Sequence, residues 1–315
     1  MLQRYDMTEN QDMDHYEEIE KPKIWYILQF ISLLLMAVIG AGMFGALAVS
    51  TCEVLFGVDG VSLLANPDFE IRSNLYGYRY IQVLSSIGTF VFASIAQLVF
   101  MREPLGEGLG LQIRIKPGMA LLSVLLVFTL QPVISFLAEW SLGWSFPAGM
   151  EEMEAQLREY HNKAVELQFS FVKNQSFLDL LFNLFMMAAL PAFAEELFFR
   201  RVGMRILYDI TRNAHVSIVI SALLFAVVHG QFFYLIPLFL FGLVLGYLAL
   251  WSRSLWLPVL AHFTNNALTL MLSYFYPNLG AEQEMDFGMP LLSFVVASLI
   301  SVGILLLLKK QQASD

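Results

Sequence analysis

Long apolar runs dominate this chain, recurring near residues 24–50, 79–101, 118–140, 177–199, 215–230, 231–251, 255–276 and 288–308. Most approach the roughly 20 residues that a helix needs to cross a bilayer core, whereas a membrane barrel would show segments of about 10 residues alternating apolar with polar. The pattern predicts an all-α fold, a polytopic membrane helix bundle with about eight transmembrane helices. The run at 215–230 is the short one. A helix of about 15 residues reaches only some 22 Å, so this fifth helix is expected to dip part way and to end buried around a cavity. Between the third and fourth runs, Glu151 to Gln175 is charged but carries Met153, Leu157, Ala164 and Leu167 at helical spacing. That reads as a helix lying on the membrane or bundle surface, a solvated connector before it is a binding site.

Composition agrees with the pattern. Apolar residues make up 57% and charged residues 14%, and the mean hydropathy is +0.63, more apolar surface than a water-soluble domain can bury. The formal charge of -9 sits chiefly in Asp6 to Glu20 and Glu151 to Glu166, so it describes polar segments and gives nucleic-acid binding no support. A single cysteine, Cys52, has no partner for a disulfide or a thiolate cluster and reads as packing. The acidic first 20 residues do not resemble a cleavable signal, so the first span is expected to be retained. With the amino terminus inside, Lys21, Lys23, Arg102, Arg114, Lys116, Arg200, Arg201, Arg205, Arg212, Arg253, Lys309 and Lys310 all fall on the inner side. The outer loops then hold Arg72, Arg79, Arg158, Lys163 and Lys173, which predicts both termini in the cytoplasm. The chain divides into four stretches: an acidic tail (1–23), amino-terminal spans with the surface helix (24–174), a core holding the candidate chemistry (175–276), and a last span with a short tail (277–315).

The chemistry is concentrated in three places. Pro191-Ala-Phe-Ala-Glu195-Glu196-Leu-Phe-Phe-Arg200-Arg201 puts two carboxylates and two guanidiniums into an apolar run, at about 2.5 to 3.5 kcal/mol each at a span centre. Glu196 and Arg200 are four apart and can pair, while Glu195, turned by about 100°, is left for another surface. The segment also reads as a span end where arginines snorkel and glutamates neutralise them. The second place pairs Phe225 with His229, and the third pairs His262 with Asn266, each one turn apart on a helix face. A lone intramembrane histidine is more often a packing residue; two of them following an acidic pair through nearby spans point to a site. Pro191 and Pro258 each stand four residues before Glu195 and His262, where a proline frees a carbonyl that must find water or a side chain. Gly242 and Gly246 form a small-residue face suited to close packing.

These residues resemble the CAAX prenyl endopeptidase type of intramembrane protease, called the CPBP or Abi family in bacteria. Its pattern is E-E-x-x-x-R, then F-x-x-x-H, then H-x-x-x-N or D. Glu195, Glu196 and Arg200 match the first block, Phe225 and His229 the second, and His262 with Asn266 the third, so the resemblance covers roughly residues 175 to 276. It implies intramembrane hydrolysis of a peptide bond in a membrane-associated peptide or protein substrate. Glu195 would be the general base aided by His229, His262 and Asn266 would stabilise the oxyanion, and Glu196, Arg200 and Phe225 would support them. Family members are often labelled metalloproteases. Glu195, His229 and His262 offer an alternative zinc ligand set, but without H-E-x-x-H the expectation is that no metal cofactor is used. The short tails resemble those of a bacterial member, which would place the chain in the inner membrane.

Two other readings compete. Intramembrane Glu, His and Arg also build proton- or ion-coupled transporters, although no inverted repeat appears, and the motifs would also suit a catalytically silent membrane scaffold. The enzyme reading requires Glu195 and the two histidines to lie within about 12 Å of one another, since reacting groups must be in hydrogen-bond reach or one water away. In a plain hairpin topology they would not meet, because His229 would end on the opposite side.

Overall fold

A computed structural model describes residues 21–65, 68–112, 114–172, 176–276 and 291–312, and every regular element among them is helical. Most of the acidic tail expected over 1–23 lies outside the described residues, as do residues 288–290 of the last expected span. In chain order the helices are α1 (Lys23–Phe56), α2 (Gly60–Ala65), α3 (Arg72–Phe100), α4 (Leu105–Leu109), α5 (Pro117–Leu142), α6 (Glu151–Ser170), α7 (Phe177–Thr211), α8 (Ala214–Val228), α9 (Phe232–Ser252), α10 (Trp256–Phe275) and α11 (Leu291–Gln312).

Local chemistry explains the boundaries. Gly57 takes φ 69 and ends α1 in the left-handed conformation that glycine adopts without a steric cost. Pro117 starts α5, where its missing N–H would have had no helical partner. Ser176 and Asp179 cap α7 reciprocally, each side chain accepting the other's backbone N–H. At α8, Asn213 accepts from the amides of His215 and Val216 at 2.9 and 3.2 Å.

Six of the described helices, α1, α3, α5, α7, α9 and α11, are long and apolar enough to cross a membrane. Of the other two expected spans, α8 has only 15 residues, as its short run foretold. The second, α10, is 20 residues long but is interrupted by His262, Thr264, Asn265, Asn266 and Thr269, which lower its apolarity. The chain is a multi-pass membrane protein. Val38, Val54, Leu178 and Leu292 are 71%, 86%, 75% and 72% exposed, which only a lipid surround makes tolerable.

One hydrophobic core takes residues from most of the bundle: Leu33 of α1, Leu98 of α3, Leu126 of α5, Phe198 and Ile206 of α7, Phe225 of α8, Leu245 of α9, Ala261 of α10 and Leu308 of α11. Two helix pairs approach at glycine. A methyl on Gly40 of α1 would run into the backbone of Gly88 on α3, and one on Gly246 of α9 would come 2.7 Å from Ile218 of α8. The small-residue face of Gly242 and Gly246 therefore does pack closely, against α8. Arg79 departs from expectation. It is not in an outer loop but inside α3, 1% exposed, because α3 begins at Arg72 and Asp179 supplies a buried partner.

Candidate active site

The site is assembled around two irregular segments of α7. The helix widens into π turns at Leu184–Ala189 and Leu197–Gly203, on either side of Pro191, Glu195 and Glu196. Pro191 cannot donate to the carbonyl of Met187 four residues back, and the Asn266 side-chain amide fills that vacancy, donating Nδ2 to Met187 O at 3.3 Å. Pro258 behaves differently. It falls in the first turn of α10, where the missing N–H is among those left unpaired in any helix, so the proline frees no helical carbonyl there.

Glu196 is 0% exposed, and its Oε1 accepts from Arg200 Nη1 at 3.0 Å and from His262 Nδ1 at 2.9 Å. Arg200 is also buried; its Nη2 donates to the Gly242 carbonyl at 3.2 Å, and its guanidinium lies 4.5 Å from the Phe225 ring centre. The expected pairing of Glu196 with Arg200 is present. Glu195 makes no such pair: its side chain is 12% exposed and Oε2 lies 4.0 Å from His262 Nε2, outside direct hydrogen-bond range. His262 thus faces both glutamates, one through each ring nitrogen. With a carboxylate as the Nδ1 partner, Nδ1–H is the donor. Glu195 Oε2 and Glu196 Oε2 are both buried without a hydrogen-bond partner.

His229 ends α8. Its Nδ1–H donates to the Phe225 carbonyl at 2.7 Å, which leaves Nε2 with a lone pair. Phe225 stands between the histidines, its ring centre 4.6 Å from that of His229 and 5.8 Å from that of His262. Those separations keep the two imidazoles inside the limit of about 12 Å that shared chemistry sets. Phe241 closes another side of His262 at 5.7 Å. Phe225 of the short helix meets both neighbours, its ring centre 5.5 Å from that of Phe199 on α7 and 5.8 Å from that of His262 on α10.

Two contributors were not foreseen. Gln131 of α5 donates to Asn265 Oδ1 at 3.0 Å, and Asn265 donates to Asn266 Oδ1 at 3.2 Å, so three side-chain amides run in series toward Met187. The polar doublet Asn265-Asn266 was the available signal, but nothing in sequence points to Gln131 as its partner. The other is α6, which covers the turn after His229. Arg158 lies 4.7 Å over the Phe233 ring and donates to the carbonyls of Leu142 and Trp144 at 3.2 and 2.7 Å, while His161 stacks on Tyr234 at 5.3 Å.

As arranged, Glu195, His229 and His262 do not form a cage. Among the described residues no three His, Cys, Asp or Glu side chains are grouped so as to hold a metal ion.

Residues 177–268 match the family model described as type II CAAX prenyl endopeptidase Rce1-like. No curated protein and no solved structure matches the chain. The matched segment begins with α7 and runs into α10, so it contains all of the side chains just described that α7, α8 and α10 contribute. A membrane-associated substrate and a lipid bilayer as surroundings fit both the family and the helices. Over residues 177–268, then, this multi-pass membrane protein carries a domain of the type II CAAX prenyl endopeptidase family, hydrolases that act on peptide bonds.

Proposed function

We propose that this chain hydrolyses a peptide bond of a membrane-associated protein or peptide, with Glu195 as the base that activates water. The observation that carries the reading is the position of His262, 2.9 Å from Glu196 on one side and 4.0 Å from Glu195 on the other. Glu195 takes a proton from water, the water oxygen bonds to the peptide carbonyl carbon, and the carbonyl oxygen becomes an oxyanion. His229 Nε2 accepts a hydrogen bond from the same water and orients it. His262 and the second N–H of Asn266 donate to the oxyanion in a low-dielectric site, where such donors act strongly. Because His262 already gives Nδ1–H to Glu196, it donates through Nε2 only with both nitrogens protonated, a charge that the flanking carboxylates balance. Collapse of the tetrahedral species breaks the C–N bond, and the proton held by Glu195 passes to the leaving amine. No step draws on a metal.

The terminal orientation belongs to the same proposal. With both termini cytoplasmic, the carboxyl ends of α3, α7, α9 and α11 carry the basic residues to the inner face of a bacterial inner membrane.

The test is cleavage of a panel of peptides, prenylated and not, by protein purified in detergent, comparing wild type with Glu195→Ala and adding a chelator in parallel. Turnover should fall by at least about 100-fold in the variant, with an unchanged melting profile and no effect of chelation. Equal turnover by the variant would refute the assignment of Glu195, and loss on chelation would refute the metal-free mechanism.

A further inference from the structure

A second cluster of charge, apart from the carboxylates, sits at the carboxyl end of α7. Arg200, Arg201 and Arg205 of α7 and Arg253, which follows α9, line one pocket with Ser254 and the apolar Met204, Ala249, Leu250 and Leu255. The pocket is a small cleft of ≈ 60 Å³ that opens to the surface. Four guanidiniums around one space repel one another. Arg205 has the Glu103 carboxylate at 2.5 Å and Arg200 has Glu196 at 3.0 Å. Arg201 donates to backbone carbonyls, Gly108 O at 2.7 Å and Glu107 O, which fix it in place without neutralising it. Arg200 Nε is buried with no hydrogen-bond partner at all.

The surroundings fix the level of this pocket. The helices α3, α7 and α9 each run into an arginine in the left-handed conformation, Arg102 at φ 58 and Arg212 and Arg253 at φ 55, where glycine or asparagine would be easier. The pair Glu103–Arg205 joins the first two ends, and Arg253 shares the pocket with Arg205, so these ends lie on one face. Arg212 lies 5.5 Å over Tyr26 near the start of α1, and Trp256 donates Nε1 to Leu111 O at 2.9 Å. Aromatic rings with a polar tip and arginines at helix ends mark the boundary between the bilayer core and water. A pocket there, cationic on one side and apolar on the other, matches an amphiphile with a phosphate head.

We propose that this pocket binds the phosphate headgroup of an anionic bilayer lipid, with Arg201, Arg205 and Arg253 on the phosphate and the lipid chain along Met204, Ala249 and Leu250. Guanidinium forks suit phosphate oxygens, and a lipid phosphate would offset the mutual repulsion of the guanidiniums that line the pocket. Arg200, which holds Glu196, also lines the pocket, so an occupied pocket adjoins the candidate active site through one side chain.

Full-length protein in a neutral detergent, titrated with phosphatidylglycerol or phosphatidylcholine and read by native mass spectrometry and by melting temperature, tests this. Phosphatidylglycerol should bind at least about 10-fold more tightly than phosphatidylcholine and should raise the melting temperature. Arg253→Gln, at an exposed position, should remove most of that preference, and Ala249→Leu, which keeps every charge and fills the apolar wall, should do the same. Equal binding of the two lipids, or an undiminished preference in both variants, overturns the proposal. Inorganic phosphate producing the same shift at matched concentration overturns it as well, since the ligand would then be the free anion.

Discussion

Among the described residues, the carboxylates buried at Asp179 and at Glu195–Glu196 are completed to different degrees. At Asp179 both carboxylate oxygens are occupied: Oδ1 by Arg79 at 2.8 Å, and Oδ2 by Arg72 at 2.8 Å together with the Ser176 amide and hydroxyl at 3.1 and 2.6 Å. The carbonyl of Phe171 accepts from Arg79 and from Asn183 at 3.4 and 2.6 Å and ties the start of α7 to α3 and to the end of α6. At Glu195 and Glu196, by contrast, one oxygen of each carboxylate has no partner, and a ring nitrogen of His262 stands at 4.0 Å from Glu195. Both clusters bear the cost of taking charge out of water. A carboxylate with every oxygen bonded can hold helices together and has no capacity left for a reactant; one with an open oxygen can still accept a proton.

The comparison is sharpest at Glu195. Glu195→Gln keeps the shape and removes the proposed base, and we expect turnover to drop by about 10²- to 10⁴-fold with the melting temperature held, measured on whichever peptide the panel identifies. Asp179→Asn should do the reverse. It leaves Arg79 buried beside a neutral side chain and should cost about 3–5 kcal/mol of stability, seen as a lowered melting temperature, while turnover per folded molecule stays near wild type. Glu196→Gln is expected to fail on both counts, because Glu196 holds Arg200 and His262 together; a variant that kept full activity would break the division between the clusters. Gln131→Leu should have a smaller effect. Leaving Asn265 Oδ1 without its donor costs about 1–3 kcal/mol and loosens Asn266, read as a modest fall in both melting temperature and turnover.

The smallest effect concerns α6, outside the spans. The Phe146 amide donates to Glu154 Oε2 at 2.8 Å and Arg158 donates to Oε1 at 2.9 Å; the first contact and then the second hold the Glu154 carboxyl below its ordinary value of 4.5. A depressed value in the folded state stabilises above the ordinary carboxylate range and is lost as pH falls through the lowered value. Amide exchange at Phe146 should therefore accelerate beyond its intrinsic pH trend below about pH 4. Unchanged protection there would show that α6 is held over the His229 turn by its aromatic contacts and by the bonds of Arg158 to the Leu142 and Trp144 carbonyls.

Much of this was legible in the residues. Hydropathy located all of the long helices to within a few residues except at α3 and α7, whose ends are charged. Arg72 and Arg79 at one end, and Arg201 and Arg205 at the other, read as loop residues until their partners on distant segments are known. The spacing of four between Glu196 and Arg200, between Phe225 and His229, and between His262 and Asn266 was enough to predict shared faces, because a helix makes such pairs local. The contacts that escaped are long-range: Arg79 meets Asp179 across 100 positions and Gln131 meets Asn265 across 134. Periodicity carries no information about which distant side chain will complete a hydrogen bond. The π turns escaped too, since a hydrophobic pattern counts residues and cannot show where one extra residue is taken up in a turn.

That extra residue makes α7 a matter of phase. Each π turn inserts one residue without breaking the helix, and the downstream turns are rotated by about 100° relative to an uninterrupted α-helix. The segment 184–189 therefore acts as an angular offset fixed upstream of the glutamates. Deleting one residue from it would let α7 close into regular turns, with composition, length and apolar character almost unchanged. Glu195 and Glu196 would then point away from α10. The geometry of the candidate site depends on a count of residues in a stretch that supplies none of its side chains.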